Sequence, residues 1–158
     1  MLIRAATEDD VELLYGLILE LAEYEKLSDA VAGDAEVLRR TLFEQRAAEA
    51  LIIEDGEDAV GYAIFFTTFS SFECRSGVWI EDIYVRPDHR RDGIGLRAME
   101  HIAAVALERG HARLEWTVLD WNEPALRFYA KLGARPLNDW ITHRLDRVGM
   151  RRLAAGSG

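Results

Sequence analysis

The chain has 158 residues, which suits one domain with a sizeable hydrophobic core. Its apolar content of 49% and charged content of 30% are those of an ordinary globular protein, and its net charge of −9 argues against nucleic acid or an anionic membrane as a partner. The single cysteine excludes a disulfide framework, and without a signal-peptide pattern or a bilayer-length apolar run we expect a cytoplasmic location.

The first half of the chain predicts a strand, two helices and a hairpin. Residues 2–6 form the strand, and Thr7 is a hydroxyl cap before acidic residues that favour the start of a helix over 8–25. A second helix is expected over 34–46, and an acidic Asp-Gly turn joins two strands within 50–71. Helical spacing predicts that the buried face of the first helix consists of Leu13, Leu14, Leu17, Ile18 and Leu21.

The second half alternates between strand and helix patterns. The expected elements are a strand over 76–85, a long helix over 93–110, a strand over 112–120, a helix over 122–133 and a last strand over 140–145. Gly110 and Gly133 are suitable residues to end the two helices. The order indicates an α+β fold whose mixed sheet has its parallel pair on either side of the long helix. We expect one domain over 1–153 and a flexible tail over 154–158.

A loop rich in glycine and arginine precedes the long helix. Arg86, Arg90 and Arg91 stand out against the acidic background, and Gly93 and Gly95 lie where the helix begins. A helix start offers unpaired N–H groups and partial positive charge, and glycine lets the backbone approach a ligand closely. The loop therefore predicts a phosphate or pyrophosphate site, and the alternative is a tight loop whose arginines are simply solvated.

Three phosphate-binding motifs compete for this loop. A P-loop is excluded because Leu96 and Arg97 follow the last glycine instead of Lys and Ser or Thr. A dinucleotide fingerprint fits residues 93–98 with Asp120 as the ribose-binding acid, but "RPDHRRD" separates the strand from the first glycine, where that motif turns directly. The third motif, Arg/Gln-x-x-Gly-x-Gly, is met by residues 90–95.

Through this motif and two further stretches the chain resembles the GNAT superfamily of acetyl-CoA-dependent N-acetyltransferases. The resemblance runs from "IRAATEDDVELLYGLILELAEYEKL" through "WIEDIYVRPDHRRDGIG" to "WNEPALRFYAKLGA" and covers nearly the whole chain. It is nearest to the spermidine/spermine acetyltransferase branch, which includes thialysine acetyltransferases. It implies a mostly antiparallel mixed sheet with a splayed parallel strand pair and about four flanking helices. It also implies direct acetyl transfer to a primary amine in a ternary complex, usually by a homodimer.

The resemblance assigns acetyl-CoA to the opening between the two parallel strands. Backbone groups of Ile83 and Val85 are then expected to bond the pantetheine and acetyl portions, and the amides from Arg91 through Leu96 to hold the pyrophosphate. Many relatives have glycine where this chain has Arg91, so this side chain crowds the loop or adds a cation. The expected acetyl-CoA-binding residues are Ile83, Tyr84, Val85, Arg90, Arg91, Asp92, Gly93, Ile94, Gly95, Leu96, Asn122 and Ala125.

Acetyl transfer to an amine needs a base, a donor to the developing oxyanion and an acid. A primary amine, with an ordinary pKa of about 10.4, must lose a proton before it attacks. The resemblance places this base at Glu81, acting through water, and the acid that protonates the departing thiolate at Tyr129, whose phenol is neutral at pH 7. Without the resemblance, Tyr129 is typical of a half-buried helix aromatic, and Glu81 of an outward-facing strand residue with Asp82 on the opposite face.

The acceptor is expected to be a small cationic amine. The same branch places Tyr24, Glu25, Glu81 and Asp82 on the acceptor side, and these acids suit a polyamine or a lysine-like amine. Asn122 is expected to cap a helix as well as to contact the pantetheine arm. The histidines show no metal-ligand spacing, so no metal is expected. An acetyl-CoA-binding sensor without activity is the alternative, and it would need neither Glu81 nor Tyr129.

Overall fold

The computed structural model describes residues 1–90 and 93–156 and divides into two compact units, Met1–Thr117 and Val118–Gly158. Arg91 and Asp92, two of the residues expected to bind acetyl-CoA, lie outside the described ranges. The strands and α-helices are β1 (Leu2–Ala5), α1 (Val11–Tyr24), α2 (Ala35–Arg39), β2 (Glu49–Asp55), β3 (Asp58–Ser70), β4 (Arg75–Val85), α3 (Ile94–Glu108), β5 (Leu114–Trp116), α4 (Glu123–Lys131) and α5 (Arg147–Ala154). None of the described helices is long and apolar enough to cross a membrane.

The first unit contains one sheet in the order β1-β2-β3-β4-β5. The first four strands are antiparallel, and β4 and β5 are parallel, which confirms the predicted mixed sheet with its parallel pair on either side of α3. The parallel register begins at Val78 opposite Leu114 and ends at Ile80 opposite Trp116. Within the described part of the chain, the remaining length of β4 to Val85 therefore has no strand on its β5 side.

Helices cover both faces of this sheet. On one face, Leu14 and Leu17 of α1 are fully buried and pack against the sheet, because apolar residues at helical spacing form one stripe. Their cluster includes Leu42, Ala50, Ile52, Tyr62, Ile64 and Tyr84. On the other face, Ile94 and Ala98 of α3 pack against Ile53, Val60 and Val85. This core thus fixes the end of β4, at Val85, and the start of α3, at Ile94.

The entry to α1 is tied to the sheet by a buried carboxylate. A short 3₁₀ turn, Glu8–Asp10, precedes α1, and the Asp10 carboxylate accepts hydrogen bonds from the Thr7 backbone N–H and hydroxyl at 2.8 and 2.9 Å. It also accepts two bonds from the Arg4 guanidinium at 2.7 Å, and Arg4 further binds Glu54 of β2. These charged donors hold the pKa of Asp10 well below its ordinary range.

The predicted helices are confirmed, with two local differences. The sequence pattern places Leu13 in the buried face of α1, but Leu13 is 36% exposed. The buried stripe of α1 is narrower than the sequence pattern and is centred on Leu14 and Leu17. The second helix is α2 followed by one π-helical turn, Arg40–Glu44. The left-handed glycines Gly110 and Gly133 follow α3 and α4 as expected.

The strand predicted over 140–145 is wrong, and the strand predicted over 112–120 is limited to β5. Residues 140–145 pair with no strand of the sheet, and Trp140 and Ile141 are 73% and 79% exposed. A run of strand-forming residues predicts a strand but cannot supply the neighbouring backbone that a strand must bond. The second unit instead ends in α5, capped by the Asp146 side chain, which accepts from the Gly149 N–H at 2.7 Å.

The Asp10 cluster generates the first prediction. Asp10→Asn should lower the free energy of unfolding at pH 7 by about 2 kcal/mol, because charge-assisted bonds to Arg4 and Thr7 are lost. Since the folded-state pKa of Asp10 is lowered, its contribution is present above about pH 4 and is lost as the pH falls below that value. The gap between variant and wild type, measured by urea unfolding, should therefore narrow between pH 7 and pH 2.

Asp9→Asn is the matched control, since Asp9 precedes Asp10 and is exposed. It should change the unfolding free energy by less than about 0.5 kcal/mol at either pH. An Asp10→Asn penalty that is equally large at pH 2 would contradict the electrostatic account.

Candidate active site

A β-bulge in β4 gathers the predicted acidic residues. The register with β3 pairs Ile64 with Asp82 and Phe65 with Ile80, so Glu81 is the extra residue without a partner across the ladder. Trp79 lies opposite Phe66, and cross-strand partners share a face, so Trp79 and Asp82 lie on one face although three positions separate them. The strict alternation expected between Glu81 and Asp82 does not hold across this bulge.

Each of these two carboxylates is held by an aromatic donor. The indole N–H of Trp79 donates to Glu81 Oε2 at 3.0 Å, and the Tyr62 hydroxyl donates to Asp82 Oδ2 at 3.1 Å. Glu81 is exposed, whereas Tyr62 is fully buried. Tyr62 and Trp79 were not identified from the sequence, because their partners depend on the strand register and on the position of the bulge.

Burial and neighbouring charge perturb Asp82. The pKa of Asp82 is raised to about 6, mainly by burial and also by the charges of Glu81 and Glu25, while the Tyr62 hydrogen bond acts in the opposite direction. Burial also raises the pKa of Glu25, which directly follows α1. Asp82 is thus electrostatically coupled to both Glu81 and Glu25, and the placement of these residues on the acceptor side stays a prediction. A cation placed among them would relieve this repulsion.

The end of α1 is fastened to the end of β4. The Arg86 guanidinium binds Glu20 with Nη2···Oε1 at 2.6 Å and donates to the Ala59 carbonyl at 2.8 Å. The Tyr84 hydroxyl also donates to Glu20, and these donors lower the pKa of Glu20. Arg86, grouped with the loop arginines in the sequence, therefore serves to hold α1 beside β4. Because α1 ends at Tyr24, this contact positions Tyr24 and Glu25.

Arg90 folds back over the same region. Its guanidinium carbon is 4.1 Å from the centre of the Tyr24 ring, a cation–π distance, and its Nε donates to the Val85 carbonyl at 2.8 Å. Arg90 therefore joins Tyr24, from the expected acceptor side, to Val85, from the expected acetyl-CoA side. Its role in binding acetyl-CoA stays a prediction.

Gly93 lies at the start of α3, as its sequence predicts. Gly93 adopts a left-handed φ of +71°, and a Cβ there would meet nothing within 4 Å. α3 begins at the next residue, so Ile94, Gly95 and Leu96 form its first turn, where the N–H groups of a helix have no partner within the helix. The start of α3 thus lies beside the end of β4, and its role as an anion site stays a prediction.

The second unit carries the remaining predicted residues. Asn122 is buried, and its side chain caps α4 by accepting from the Ala125 N–H at 3.3 Å, which confirms the predicted cap. Tyr129 lies within α4, half-buried, with its ring centre 5.3 Å from that of Phe128. Across residues 1–90 and 93–156, no group of three or more His, Cys, Asp or Glu side chains could hold a metal ion.

Comparison with known proteins gives consistent matches. Residues 17–134 match the acetyltransferase (GNAT) family. The chain is 39% identical to the thialysine N-epsilon-acetyltransferase of Bos taurus over 98% of this chain and 97% of that protein. It is 30% identical to an L-ornithine N5-acetyltransferase of Arabidopsis thaliana, covering 90% and 83%. An integron cassette protein from the V. cholerae mobile metagenome has the same fold, with a TM-score of 0.79, 25% identity and coverages of 97% and 96%.

Proposed function

The chain belongs to the GNAT family of acetyltransferases and is an N-acetyltransferase, and from this premise we propose that it transfers the acetyl group of acetyl-CoA to a lysine-like primary amine. The two substrates bind together in this proposal, and the amine attacks directly. The relatives named for thialysine and ornithine favour an amino acid with a side-chain amine over a polyamine. A homodimer and a single catalytic domain over 1–153 are part of the proposal, and both come from the family resemblance.

The adjacent carboxylates at the bulge of β4 carry this proposal. Glu81 and Asp82 follow directly after Ile80, where the pairing of β4 with β5 ends. A cationic amine that approaches this point meets two carboxylates and an unused strand edge. Such an arrangement favours binding of the cation and removal of its proton, and it has no evident use in a protein that only binds acetyl-CoA.

The described residues fit acetyl-CoA. Gly93 leaves open space beside a helix start that suits a pyrophosphate, and β4 from Glu81 to Val85, which has no strand on its β5 side among the described residues, offers backbone groups to an extended amide-containing arm. The GNAT family uses acetyl-CoA as its co-substrate. When bound, acetyl-CoA supplies an activated thioester carbonyl. The residues proposed to hold it are those predicted from the sequence, including Asn122 and Ala125 of the second unit.

We assign the proton transfers to two residues of this chain. Glu81 accepts the amine proton through a water molecule, for which its exposed carboxylate is accessible. A backbone N–H on the open edge of β4 stabilises the negative charge that develops on the carbonyl oxygen. Tyr129 gives its hydroxyl proton to the departing thiolate. Asp82 and Glu25 hold the cationic acceptor, with Tyr24 beside them.

The decisive experiment is a coenzyme A release assay with a panel of amines. We expect turnover with thialysine, lysine or ornithine, and weaker turnover with spermidine, since the acceptor is proposed to be an amino acid. N-ε-acetyllysine is the matched control, because its reacting nitrogen is neither cationic nor nucleophilic. Binding of acetyl-CoA by calorimetry without turnover on any amine would contradict the proposal and support a sensor.

The two ends of α3 offer a matched pair of variants for the glycine loop. Gly93→Ala and Gly110→Ala each place a methyl group at a left-handed position with open space, at φ of +71° and +75°. Each should cost about 1 kcal/mol of stability. Only Gly93→Ala should raise the acetyl-CoA Kd, by about fivefold, because Gly110 lies about 20 Å away at the other helix end. Calorimetry decides, and equal affinities for the two variants would count against the loop as the pyrophosphate site.

Tyr129→Phe tests the proposed acid. The ring is kept and the proton is lost, so kcat should fall about 10²–10⁴-fold with little change in acetyl-CoA affinity. Tyr15→Phe removes a hydroxyl whose bond goes to the Gly33 carbonyl, and it controls for loss of a phenol elsewhere. A kcat for Tyr129→Phe within twofold of wild type, with the true acceptor, would refute this assignment.

A further inference from the structure

The Tyr62 hydroxyl is the hydrogen-bond donor that the structure provides to Asp82. Tyr62 is fully buried in β3, and its hydroxyl lies 3.1 Å from Asp82 Oδ2. The strand register holds both residues on one face, since Tyr62 lies opposite Tyr84 and Ile64 lies opposite Asp82. The bond therefore joins two neighbouring strands diagonally at the bulge, and it depends on core packing for its geometry.

A buried tyrosine at this place is a lasting donor. Burial and the nearby carboxylate raise the pKa of Tyr62 far above its ordinary value, so the phenol keeps its proton throughout the physiological range. Tyr84, its partner across the ladder, directs its own hydroxyl to Glu20 at 3.3 Å. Of these two tyrosines, Tyr62 is therefore the one that binds Asp82.

The groups that face Asp82 otherwise destabilise its charge. Glu81 of β4 and Glu25 at the end of α1 both raise the pKa of Asp82, in addition to the effect of burial. Glu20 is occupied by Arg86, and the Arg90 guanidinium lies over Tyr24 and 5.8 Å from the Tyr84 ring. The Tyr62 hydrogen bond lowers the pKa of Asp82, and the pKa reached is about 6.

We infer that Tyr62 is a positioning residue of the acceptor site, whose hydroxyl keeps Asp82 ionised and fixed for binding a cationic amine. This inference rests on the proposed function and adds to it a residue outside the predicted site. It explains why a tyrosine stands in the buried centre of β3, where phenylalanine would fill the same space. Without the hydroxyl, Asp82 would carry a proton over much of the neutral range and would lose its attraction for the acceptor.

Tyr62→Phe tests this in the absence of any substrate. The Asp82 carboxyl carbon, assigned by its loss in Asp82→Asn, can be titrated by ¹³C NMR. The midpoint should lie near 6 in wild type and move up by about one pH unit in Tyr62→Phe, as expected when a carboxylate loses a hydrogen bond to its charged form. Tyr84→Phe is the matched control and should leave the midpoint in place. An unmoved midpoint in Tyr62→Phe would overturn the inference, whatever reaction the protein catalyses.

The kinetic arm uses the ratio of variant to wild-type kcat/KM for the best amine in the panel, at saturating acetyl-CoA. With the midpoint raised from about 6 to about 7, the ionised fraction at pH 6 falls from about one half to about one tenth. The ratio should therefore show about a fivefold loss at pH 6 that disappears by pH 9. In the Asp82→Asn background, Tyr62→Phe should add no further pH-dependent loss.

If Tyr62→Phe lowers kcat/KM equally at all pH values and also raises the KM for acetyl-CoA, the inference is overturned in favour of a packing role. If the midpoint of Asp82 moves in Tyr62→Phe but the kcat/KM ratio does not change with pH, the link between the charge of Asp82 and binding of the acceptor is overturned. If no amine is acetylated at all, the proposed function fails while the NMR titration still decides whether Tyr62 controls Asp82. The two failures are therefore distinguishable.

Discussion

The register shift in β4 is the constraint on which the arrangement of Glu81 and Asp82 depends. A regular strand would send Glu81 and Asp82 to opposite faces of the sheet, whereas the bulge leaves Glu81 without a partner and brings Trp79 to the face of Asp82. The pairing with β5 ends at Ile80, immediately before the bulge. One local irregularity thus gathers carboxylates and releases a strand edge at the same place. Bulges commonly redirect side chains and end pairing in this way, and here both effects serve one site.

A second constraint keeps α1 against this place. Glu81 and Glu25 both repel Asp82, so their proximity to it needs an opposing force. Packing of the buried face of α1 against the sheet provides part of this force. The ion pair between Arg86 and Glu20, one turn before Glu25, adds to it. The helix can therefore present acids to β4 without separating from it. A bound cation would lower the energy of this arrangement further, which is what a site for a cationic acceptor requires.

The sequence predicts the elements of this fold well and their pairing partly. The left-handed Gly93, the long helix and the Asn122 cap follow from local chemistry, and the structure has them where the residues indicate. The bulge could not be predicted, because nothing in "VWIEDIYV" marks the residue that lacks a partner. Arg86 and Glu20 are 66 positions apart, so their contact depends on the assembled core. The strand expected over 140–145 is wrong for the same reason, since a sequence pattern does not show which strand would pair with it.

The contrast between Glu81 and Asp82 gives adjacent carboxylates different chemistry. Glu81 is exposed, and its bond to the Trp79 indole fixes the side chain while leaving it accessible to water. Asp82 is shielded, bound by a fully buried phenol, and has its pKa raised by burial. A carboxylate that reaches solvent can pass a proton to water, whereas one held in low dielectric exerts a stronger and more directed attraction on a cation. The proposed function therefore assigns proton removal to Glu81 and acceptor binding to Asp82, and the bulge places the two residues side by side.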